Sequence, residues 1–403
     1  MKRLRLAILA FAAFAAMAVN GQLFHPLGLG IETPREMAGD FWPQTHVEGN
    51  ILYVCTKQGL YSKDLSNDEC AWQLAGFEGI PLQDYARRGD DLLAVRFDYN
   101  GSYLLLSHDG GQTYEDITPD MFKGKKHGFI LNLDCHPTDP NTLLVSSWYD
   151  GGIYLTTDFG QTWNKLSPYT PEHVGFHPLN PEIIYEVGGA IRDMETDLHI
   201  SYDGGQTWQK KWSCFPNYMG IYRMAFHPTD PNKWIAGGNH CVHTTSDNGQ
   251  TWNTQVFRDY NETVINWHYA AYDNENADIV YMAGGYHNEY MKLMCSTDGG
   301  TSWNRPYLEP IKTTPTEIVF DMKQYGDKLL VYSQSDVYEI SKAELFAQGA
   351  TSVQSIVQPT TEDGALYDLS GRKISAEANS SFFTLHSSLK RGIYIEGGKK
   401  KVK

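Results

Sequence analysis

The chain has 403 residues, of which 41% are hydrophobic and 13% aromatic, and its formal net charge at pH 7 is −15. An acidic surface repels phosphate groups, so the charge argues against a nucleic-acid-binding protein. The apolar content is enough to bury a large core, which excludes a disordered chain.

The chain begins with a segment typical of a secretory signal peptide. Lys2, Arg3 and Arg5 precede an apolar run over residues 6–19, and small residues follow it. The run is short for a membrane span, and no Cys follows the expected cleavage point near Gly21, so neither a membrane helix nor a bacterial lipid anchor is predicted. We predict that residues 1–21 are removed and that the protein is secreted or held at the outer-membrane surface.

An eight-residue phrase, Ser/Thr-x-Asp-x-Gly-x-Thr/Ser-aromatic, recurs along the chain and is here called the octet. In a tight turn between antiparallel strands its Asp would accept backbone N–H groups, and its Gly would supply a positive φ. The five copies contain Asp109, Asp158, Asp203, Asp247 and Asp298. Successive Asp residues are 44 to 51 positions apart, a period that suits one four-stranded propeller blade.

The octet resembles the Asp-box, or BNR repeat, of sialidases, two-propeller xyloglucan hydrolases, sortilin-type receptors and photosystem assembly factors. The resemblance implies an all-β fold, a seven-bladed β-propeller in which the five Asp residues are structural and lie away from the ligand face. The Arg-Ile-Pro phrase of sialidases does not occur in this sequence. The catalytic aspartates of the xyloglucan enzymes are not carried over, because those enzymes use two propellers and only one is predicted here.

The repeats, with degenerate copies at Asp64 and Asp336, fill residues 22–346 and predict seven blades. The seventh blade shows only three clear strands. A closed ring must pair its last blade with its first, so we predict that Leu23–Gly30 supplies the missing outer strand.

Three repeats also share a His-Pro-x-Asp/Asn-Pro turn, which begins at His136, His177 and His227. A repeated His suggests metal binding or catalysis. Each copy belongs to a different blade, however, so we predict a structural role in which Pro fixes φ and Asp or Asn closes the turn.

The six cysteines are widely spaced and contain no C-x-x-C motif, which argues against a zinc site or a redox motif. We predict small buried residues with at most one bridge, such as Cys55 to Cys70, and we predict no metal and no cofactor.

Beyond Phe346 the composition changes. Residues 347–363 are rich in Gln, Thr, Ser and Gly and indicate a linker. The phrases at 365–373 and 389–395, followed by a lysine-rich end, resemble the C-terminal sorting domain of Bacteroidetes type IX secretion. The resemblance implies a small β-sandwich over residues 364–403 that contacts the type IX machinery. The alternative is a small extra β-domain without a targeting role.

Propeller ligands bind where the innermost strands meet the loops at the channel mouth. Aligning the first strands of the blades on their turns brings Asn132, His173, Arg223 and Tyr269 to equivalent positions, and two long loops contribute Arg192 and Tyr286. Flat rings stack on sugar C–H faces, and charged groups bind hydroxyls. The predicted substrate-binding set is Trp42, Tyr85, Asn132, His173, Arg192, Arg223, Trp267, His268, Tyr269 and Tyr286.

Two classes of function follow. A glycoside hydrolase needs two carboxylates across the scissile bond, for which Asp134, Asp84 and Glu317 are the catalytic candidates, drawn from a wider group that includes Glu186, Asp193 and Glu289. A polysaccharide lyase, the second choice, would use His173, Arg223, Tyr269 and His268 as base, acid and clamp on a uronate. The alternative to an enzyme is a monomeric, non-catalytic propeller that binds glycan or protein, or a polar channel filled only with water.

Overall fold

A computed structural model of the chain describes residues 24–31, 33, 42–98, 101–120, 122, 130–147, 152–167, 169, 171–188, 197–213, 220–238, 241–257, 266–284, 291–303 and 318–347, and the backbone of five short strands beyond residue 355. The chain divides into two compact units, residues 1–355 and 356–403. In this described part of the chain no helix is long and apolar enough to cross a membrane.

The first unit consists of seven antiparallel sheets, the blades. Their strands follow one another in sequence order, except that the first strand of the chain joins the seventh sheet. The strands before and within the first three blades are β1 (His25–Pro26); β2 (Thr45–Glu48), β3 (Ile51–Thr56), β4 (Gly59–Asp64) and β5 (Gln73–Gly76); β6 (Leu82–Arg88), β7 (Asp91–Asp98), β8 (Gly101–Ser107) and β9 (Glu115–Asp116); β10 (Ile130–Cys135), β11 (Leu143–Ser147), β12 (Gly152–Thr156) and β13 (Asn164–Ser167).

The fourth to seventh blades continue the same pattern. Their strands are β14 (Pro171–Phe176), β15 (Ile184–Gly188), β16 (Leu198–Ser201) and β17 (Gln209–Trp212); β18 (Ile221–Phe226), β19 (Trp234–Gly238), β20 (Cys241–Thr245) and β21 (Asn253–Val256); β22 (Tyr269–Tyr272), β23 (Val280–Gly284) and β24 (Lys292–Ser296); β25 (Val319–Tyr325), β26 (Lys328–Ser333) and β27 (Val337–Ser341). Helix α1 (Lys342–Ala347) follows the last of them.

The second unit contains β28 (Ile356–Val357), β29 (Leu366–Asp368), β30 (Lys373–Ile374), β31 (Ile393–Glu396) and β32 (Lys399–Val402). The last four strands form one sheet in the order β30-β29-β31-β32. The predicted fold class, an all-β seven-bladed propeller followed by C-terminal β-structure, is confirmed.

Hydrophobic clusters lie between neighbouring blades and hold the ring together. The described residues form seven such clusters, and each joins residues of two adjacent blades, including the seventh and the first. Between the third and fourth blades, for example, Leu144 and Ile153 pack against Val174 and Ile184. Alternate residues of each strand face opposite neighbours, so both faces of every inner sheet are buried.

The octets form the predicted turns, and each follows the third strand of its blade. Asp203 Oδ1 accepts a bond from the Thr207 N–H at 2.8 Å, and Asp203 Oδ2 accepts one from the Thr207 hydroxyl at 2.6 Å. The Ser201 hydroxyl donates to the same carboxylate, and Gly205 has a φ of 89°. These bonds, first the Thr207 hydroxyl, lower the pKa of Asp203 to about 2. The other four octets repeat this pattern, so Asp109, Asp158, Asp203, Asp247 and Asp298 each accept hydrogen bonds within their own octet turn.

The His-Pro turns also have the predicted structural role. His136 Nδ1 accepts the N–H groups of Thr138 and Asp139, and His177 and His227 do the same for the residues two and three positions later. The sixth blade uses Asp273 in place of His, since its carboxylate accepts the equivalent two N–H groups. A ring nitrogen that accepts two turn amides is committed to the turn.

Ring closure follows the prediction as well. β1 pairs with β27 and completes the seventh blade, with His25 opposite Glu339 and Pro26 opposite Tyr338. The Asp336 carboxylate accepts the N–H groups of Gly28 and Leu29 at 3.1 and 2.9 Å. The first and last described segments of the propeller are therefore joined by backbone and side-chain hydrogen bonds.

The suggested Cys55–Cys70 bridge is wrong, because both thiols are free. Cys55 is fully buried on β3 between the first and second blades, whereas Cys70 lies in the loop between β4 and β5 with its Sγ directed at the Ala71 carbonyl oxygen. Cys135, Cys241 and Cys295 are also free, and Cys214 lies outside the described residues.

Candidate ligand site in the central channel

The inner strands β2, β6, β10, β14, β18, β22 and β25 surround the channel. Successive strands of a blade are antiparallel, so the octets and the His-Pro turns lie together at one end of the ring. The inner strands begin at the opposite end, which is here called the mouth. The mouth is where propeller loops and strand ends leave room for a ligand.

A register shift recurs near the start of the inner strands. It occurs directly before Asp84, Asn132, His173, Arg223 and Asp321. A bulge of this kind re-aims the side chain that follows it. The equivalence of Asn132, His173 and Arg223 that the turns predicted is thus reproduced in the strand register.

A row of stacked rings lies at the mouth. The Trp42 indole stacks on His268 with centroids 5.7 Å apart, and His268 stacks on Tyr222 at 4.5 Å. Phe320 meets the same indole edge to face at 6.0 Å. Trp42 and Tyr222 are partly exposed, whereas His268 between them is buried. We call Trp42, His268 and Tyr222 the aromatic row.

Arg223, the residue after Tyr222 on β18, connects side chains from several blades. Its Nη1 donates to Gln44 Oε1 at 3.1 Å and contacts His173 Nε2 at 3.0 Å. Its guanidinium lies over the Tyr269 ring, with Cζ 4.8 Å from the centroid. Blades one, four, five and six therefore meet at this one side chain.

The two histidines beside Arg223 are held neutral. Burial, with a further contribution from the Arg223 charge, lowers the pKa of His268 to about 3. The same two causes, in the same order, place the pKa of His173 well below its ordinary value. Because Arg223 is a permanent donor, a neutral His173 accepts its N–H at Nε2 and carries its own proton on Nδ1.

The carboxylates of the channel are engaged with their surroundings. Asp84 Oδ1 lies 2.7 Å from His46 Nε2 and accepts the Tyr85 N–H. Asp134 Oδ2 accepts the Phe176 N–H of the next blade at 2.8 Å. These bonds join strands, so each carboxylate has a structural task beside any chemical one.

Asp134 is nevertheless unusual among them. It is partly open to the channel but surrounded by protein, and burial raises its pKa to about 7, although the Phe176 N–H acts in the opposite direction. The Asp84 charge raises this pKa further, which places the two catalytic candidates within electrostatic reach of each other.

The other predicted site residues occupy different parts of the propeller. Tyr85 is buried between the first two blades and donates to Glu48 at 2.7 Å. Asn132 accepts the Val174 N–H at 2.8 Å. Trp267 is fully buried in the core between the fifth and sixth blades, which is a packing position. Glu186 pairs with His199, within the fourth blade and away from this set.

Several predicted residues lie outside the described part of the chain, namely Arg192, Asp193, Tyr286, Glu289 and Glu317. Sequence reasoning missed Gln44, Tyr222 and Asp321. Asp321 accepts the Thr45 N–H at 2.9 Å and pairs with Lys323 at 2.8 Å. Its position after the register shift is equivalent to that of Arg223, but the seventh blade has no His-Pro turn from which to align it.

No group of three or more His, Cys, Asp and Glu side chains is arranged to hold a metal ion within the described ranges. The site is therefore built from aromatic rings, one guanidinium, two neutral imidazoles and engaged carboxylates.

Fold and site together define a seven-bladed propeller with an aromatic channel mouth. The family model described as Sortilin, neurotensin receptor 3 (Sortilin-Vps10) matches residues 102–210, which include the octets of the second to fourth blades. A probable oligoxyloglucan-reducing end-specific xyloglucanase of Neosartorya fischeri is 25% identical over 224 residues, which cover 48% of this chain and 25% of that protein. The chain thus spans about a quarter of the length of this curated relative.

Solved structures show the same fold. The GH74 xyloglucanase from Xanthomonas campestris superposes with a TM-score of 0.57 at 16% identity and covers 78% of this chain and 53% of its own. YCF48 bound to D1 peptide superposes with a TM-score of 0.56, also at 16% identity, and covers 80% of this chain and 98% of its own. Glycan-acting and peptide-binding proteins both occur among the similar propellers.

Proposed function

We propose that this chain is an exported β-propeller that binds a glycan at the mouth of its channel. The aromatic row at the mouth, close to Arg223, is the observation that carries the proposal. Two partly exposed rings held apart by a buried third offer apolar faces to pyranose C–H groups, and polar side chains beneath them can bind hydroxyls. The xyloglucanase relatives support glycans over other ligands of similar size.

The chemistry of the neighbouring groups favours binding over elimination. A lyase needs a base and an acid that exchange protons near neutral pH. The pKa of His173 is far below that range, and burial raises the pKa of Tyr269 above its ordinary value, although Arg223 opposes that rise. Neither His173 nor Tyr269 is therefore suited to exchange a proton near neutral pH.

Replacing Trp42 by Ala is expected to weaken glycan binding roughly 10- to 100-fold, because a stacking face is lost. A glycan first has to be found by screening the mature protein against plant, algal and host polysaccharides, with assays for new reducing ends and for unsaturated uronates. Calorimetry on the variant then measures the loss.

Asp203→Ala is the matched control for this experiment. It removes the octet bonds at the other end of the ring, so the melting temperature should fall and the affinity should stay unchanged. Absence of any glycan ligand in the screen, or unchanged affinity in Trp42→Ala, would contradict the proposal.

A second candidate, a glycoside hydrolase, is favoured by Asp134. A carboxyl group with a pKa of about 7 is suited to general acid catalysis, and the neighbouring Asp84 could supply the second carboxylate. New reducing ends in the screen that disappear in Asp134→Asn would establish this candidate in place of simple binding.

We further propose that the chain is exported through its N-terminal segment and that residues 364–403 direct it to the type IX machinery. The sequence resemblance at both ends is the support for this part. In a Bacteroidetes host, deletion of residues 364–403 should retain the propeller inside the cell envelope, as measured by fractionation. Full surface delivery of the truncated chain would contradict the sorting role.

A further inference from the structure

We propose that the glycan bound at the mouth is acidic and that its carboxylate binds the Nε/Nη2 edge of Arg223. The inference rests on the proposed function and names the chemical class of its ligand, a uronate-type sugar. Three features of Arg223 support it: a donor edge that no described residue uses, the absence of a direct ion pair with a described residue, and a fixed orientation.

The first feature is the donor edge of the Arg223 guanidinium that carries Nε and Nη2. A guanidinium binds a carboxylate best through two parallel N–H groups, and the Nε and Nη2 atoms form such a pair. Both hydrogen bonds of Arg223, to Gln44 and to His173, use Nη1. Within the described part of the chain, the Nε and Nη2 donors make no hydrogen bond, and neither atom is among the buried unpartnered polar atoms. The edge that suits a carboxylate therefore has no hydrogen-bond partner among the described residues.

The second feature of Arg223 is that it makes no direct ion pair with a described carboxylate. Among the described residues no carboxylate lies within salt-bridge distance of Arg223, although the chain as a whole is strongly acidic. The nearby carboxylates have other partners, since Asp321 pairs with Lys323 and Asp84 with His46. The Arg223 charge favours the ionised forms of Asp134 and Asp321, but neither carboxylate makes a direct ion pair with it. The direct contact that a guanidinium makes with a carboxylate is therefore left for a ligand.

The orientation is the third feature. Gln44, which accepts from Arg223, is itself fixed through its Nε2 donors to the Trp42 carbonyl at 2.8 Å and the Phe320 carbonyl at 3.4 Å. The Tyr269 ring supports the guanidinium plane from below. A donor fork held on several sides loses little entropy when it binds, and so it discriminates well.

The geometry also places the two recognition elements side by side. Tyr222 belongs to the aromatic row, and Arg223 is the next residue of β18. The register shift of this strand falls between Ile221 and Arg223. Adjacent residues of a strand are about 3.3 Å apart along its axis. The Arg223 charge also acts on His268, the central ring of the row, so the guanidinium lies near the row and an exocyclic carboxylate at C5 of a stacked sugar is the group that would meet it.

The test compares three trisaccharides by calorimetry: trigalacturonate, its carboxyl-reduced counterpart and a sulfated form of that counterpart. The wild-type protein should prefer trigalacturonate roughly 10- to 100-fold over the reduced sugar. Arg223→Gln should remove this preference, so that trigalacturonate and the reduced sugar bind with similar affinity. Arg223→Lys should keep only part of it, because an ammonium group has no planar fork.

Arg88→Gln provides the matched control. Arg88 is the last residue of β6, at the end of the ring opposite the mouth, and pairs with Asp91 at 2.7 Å, so its replacement should leave the preference intact. The melting temperature of each variant confirms that it folds.

The outcomes separate the acidic-ligand inference from the proposed glycan binding. Equal binding of acidic and reduced sugars by the wild type, or an unchanged preference in Arg223→Gln, overturns the acidic-ligand inference and leaves glycan binding in place. Preference for the sulfated sugar overturns the carboxylate assignment. Binding of none of the three, together with an empty polysaccharide screen, overturns both proposals.

Discussion

Removing residues 24–31 from the mature chain is expected to lower the free energy of unfolding by roughly 5 kcal/mol or more. Phe24, Leu29 and Ile31 are at most 7% exposed, and burying one such side chain contributes about 1.5–3 kcal/mol. Pairing of β1 with β27 and the bonds from Asp336 are lost as well. Because domains are typically stable by only about 5–15 kcal/mol, the truncated propeller should be only marginally stable.

Urea unfolding of the truncated and complete chains measures this effect. A matched pair of point variants separates packing from truncation. Leu29→Ala, at a 6% exposed position in the core between the last and first blades, should cost about 2–4 kcal/mol, whereas Leu74→Ala, at a 40% exposed position, should cost less than about 1 kcal/mol. An unchanged urea midpoint after truncation would show that the ring does not depend on this closure.

Replacing Asp134 by Asn is expected to raise the free energy of unfolding at pH 8 by about 2–4 kcal/mol. Burial raises the pKa of Asp134 from 3.8 to about 7, so the folded state holds a proton that the unfolded state releases. Between pH 4 and pH 7 the folded protein binds more protons, and its stability therefore falls as the pH rises. An amide avoids this loss and keeps an oxygen for the Phe176 N–H.

The groups that face Asp134 set the sign of this prediction. The Asp84 charge opposes its ionisation, and Arg223 and the Phe176 and Cys135 N–H groups favour it, but burial is the largest effect. Tyr185 also faces it and stays neutral because burial raises the pKa of the phenol.

Asp321→Asn is the control with the opposite sign. Burial is also the largest effect on Asp321 and disfavours its ionisation, but Lys323, Arg223 and the Thr45 N–H together outweigh it and lower the pKa, so the amide should destabilise the protein at pH 8. Urea unfolding from pH 4 to pH 8 measures both variants. Loss of stability in Asp134→Asn at pH 8 would mean that the ionised carboxylate is needed for the fold.

If Asp134→Asn stabilises the protein, the result also bears on its function. Groups held in an unfavourable state at a cost in stability are often retained for activity. A variant that gains stability and loses hydrolysis would support the hydrolase candidate, whereas one that gains stability and keeps affinity would support binding alone.

Local sequence chemistry determined the turns and the ring of this protein. An octet specifies its own turn because the Asp, the two hydroxyl residues and the Gly all act within eight positions, as Asp203, Ser201 and Thr207 do. Five copies at one spacing then implied a blade period, and a seventh blade that was short of a strand implied the closure that β1 provides. None of these inferences needed contacts between distant residues.

Only the tertiary structure decided which side chains meet at the mouth. Gln44 and Arg223 are 179 positions apart, and their contact follows from ring closure and from the register shift before Arg223. The same period that aligned Arg223 and Tyr269 could not show that Trp267 faces the core, or that Cys55 and Cys70 face apart. A repeat specifies where a strand begins, but a one-residue change in register decides the face on which each side chain lies.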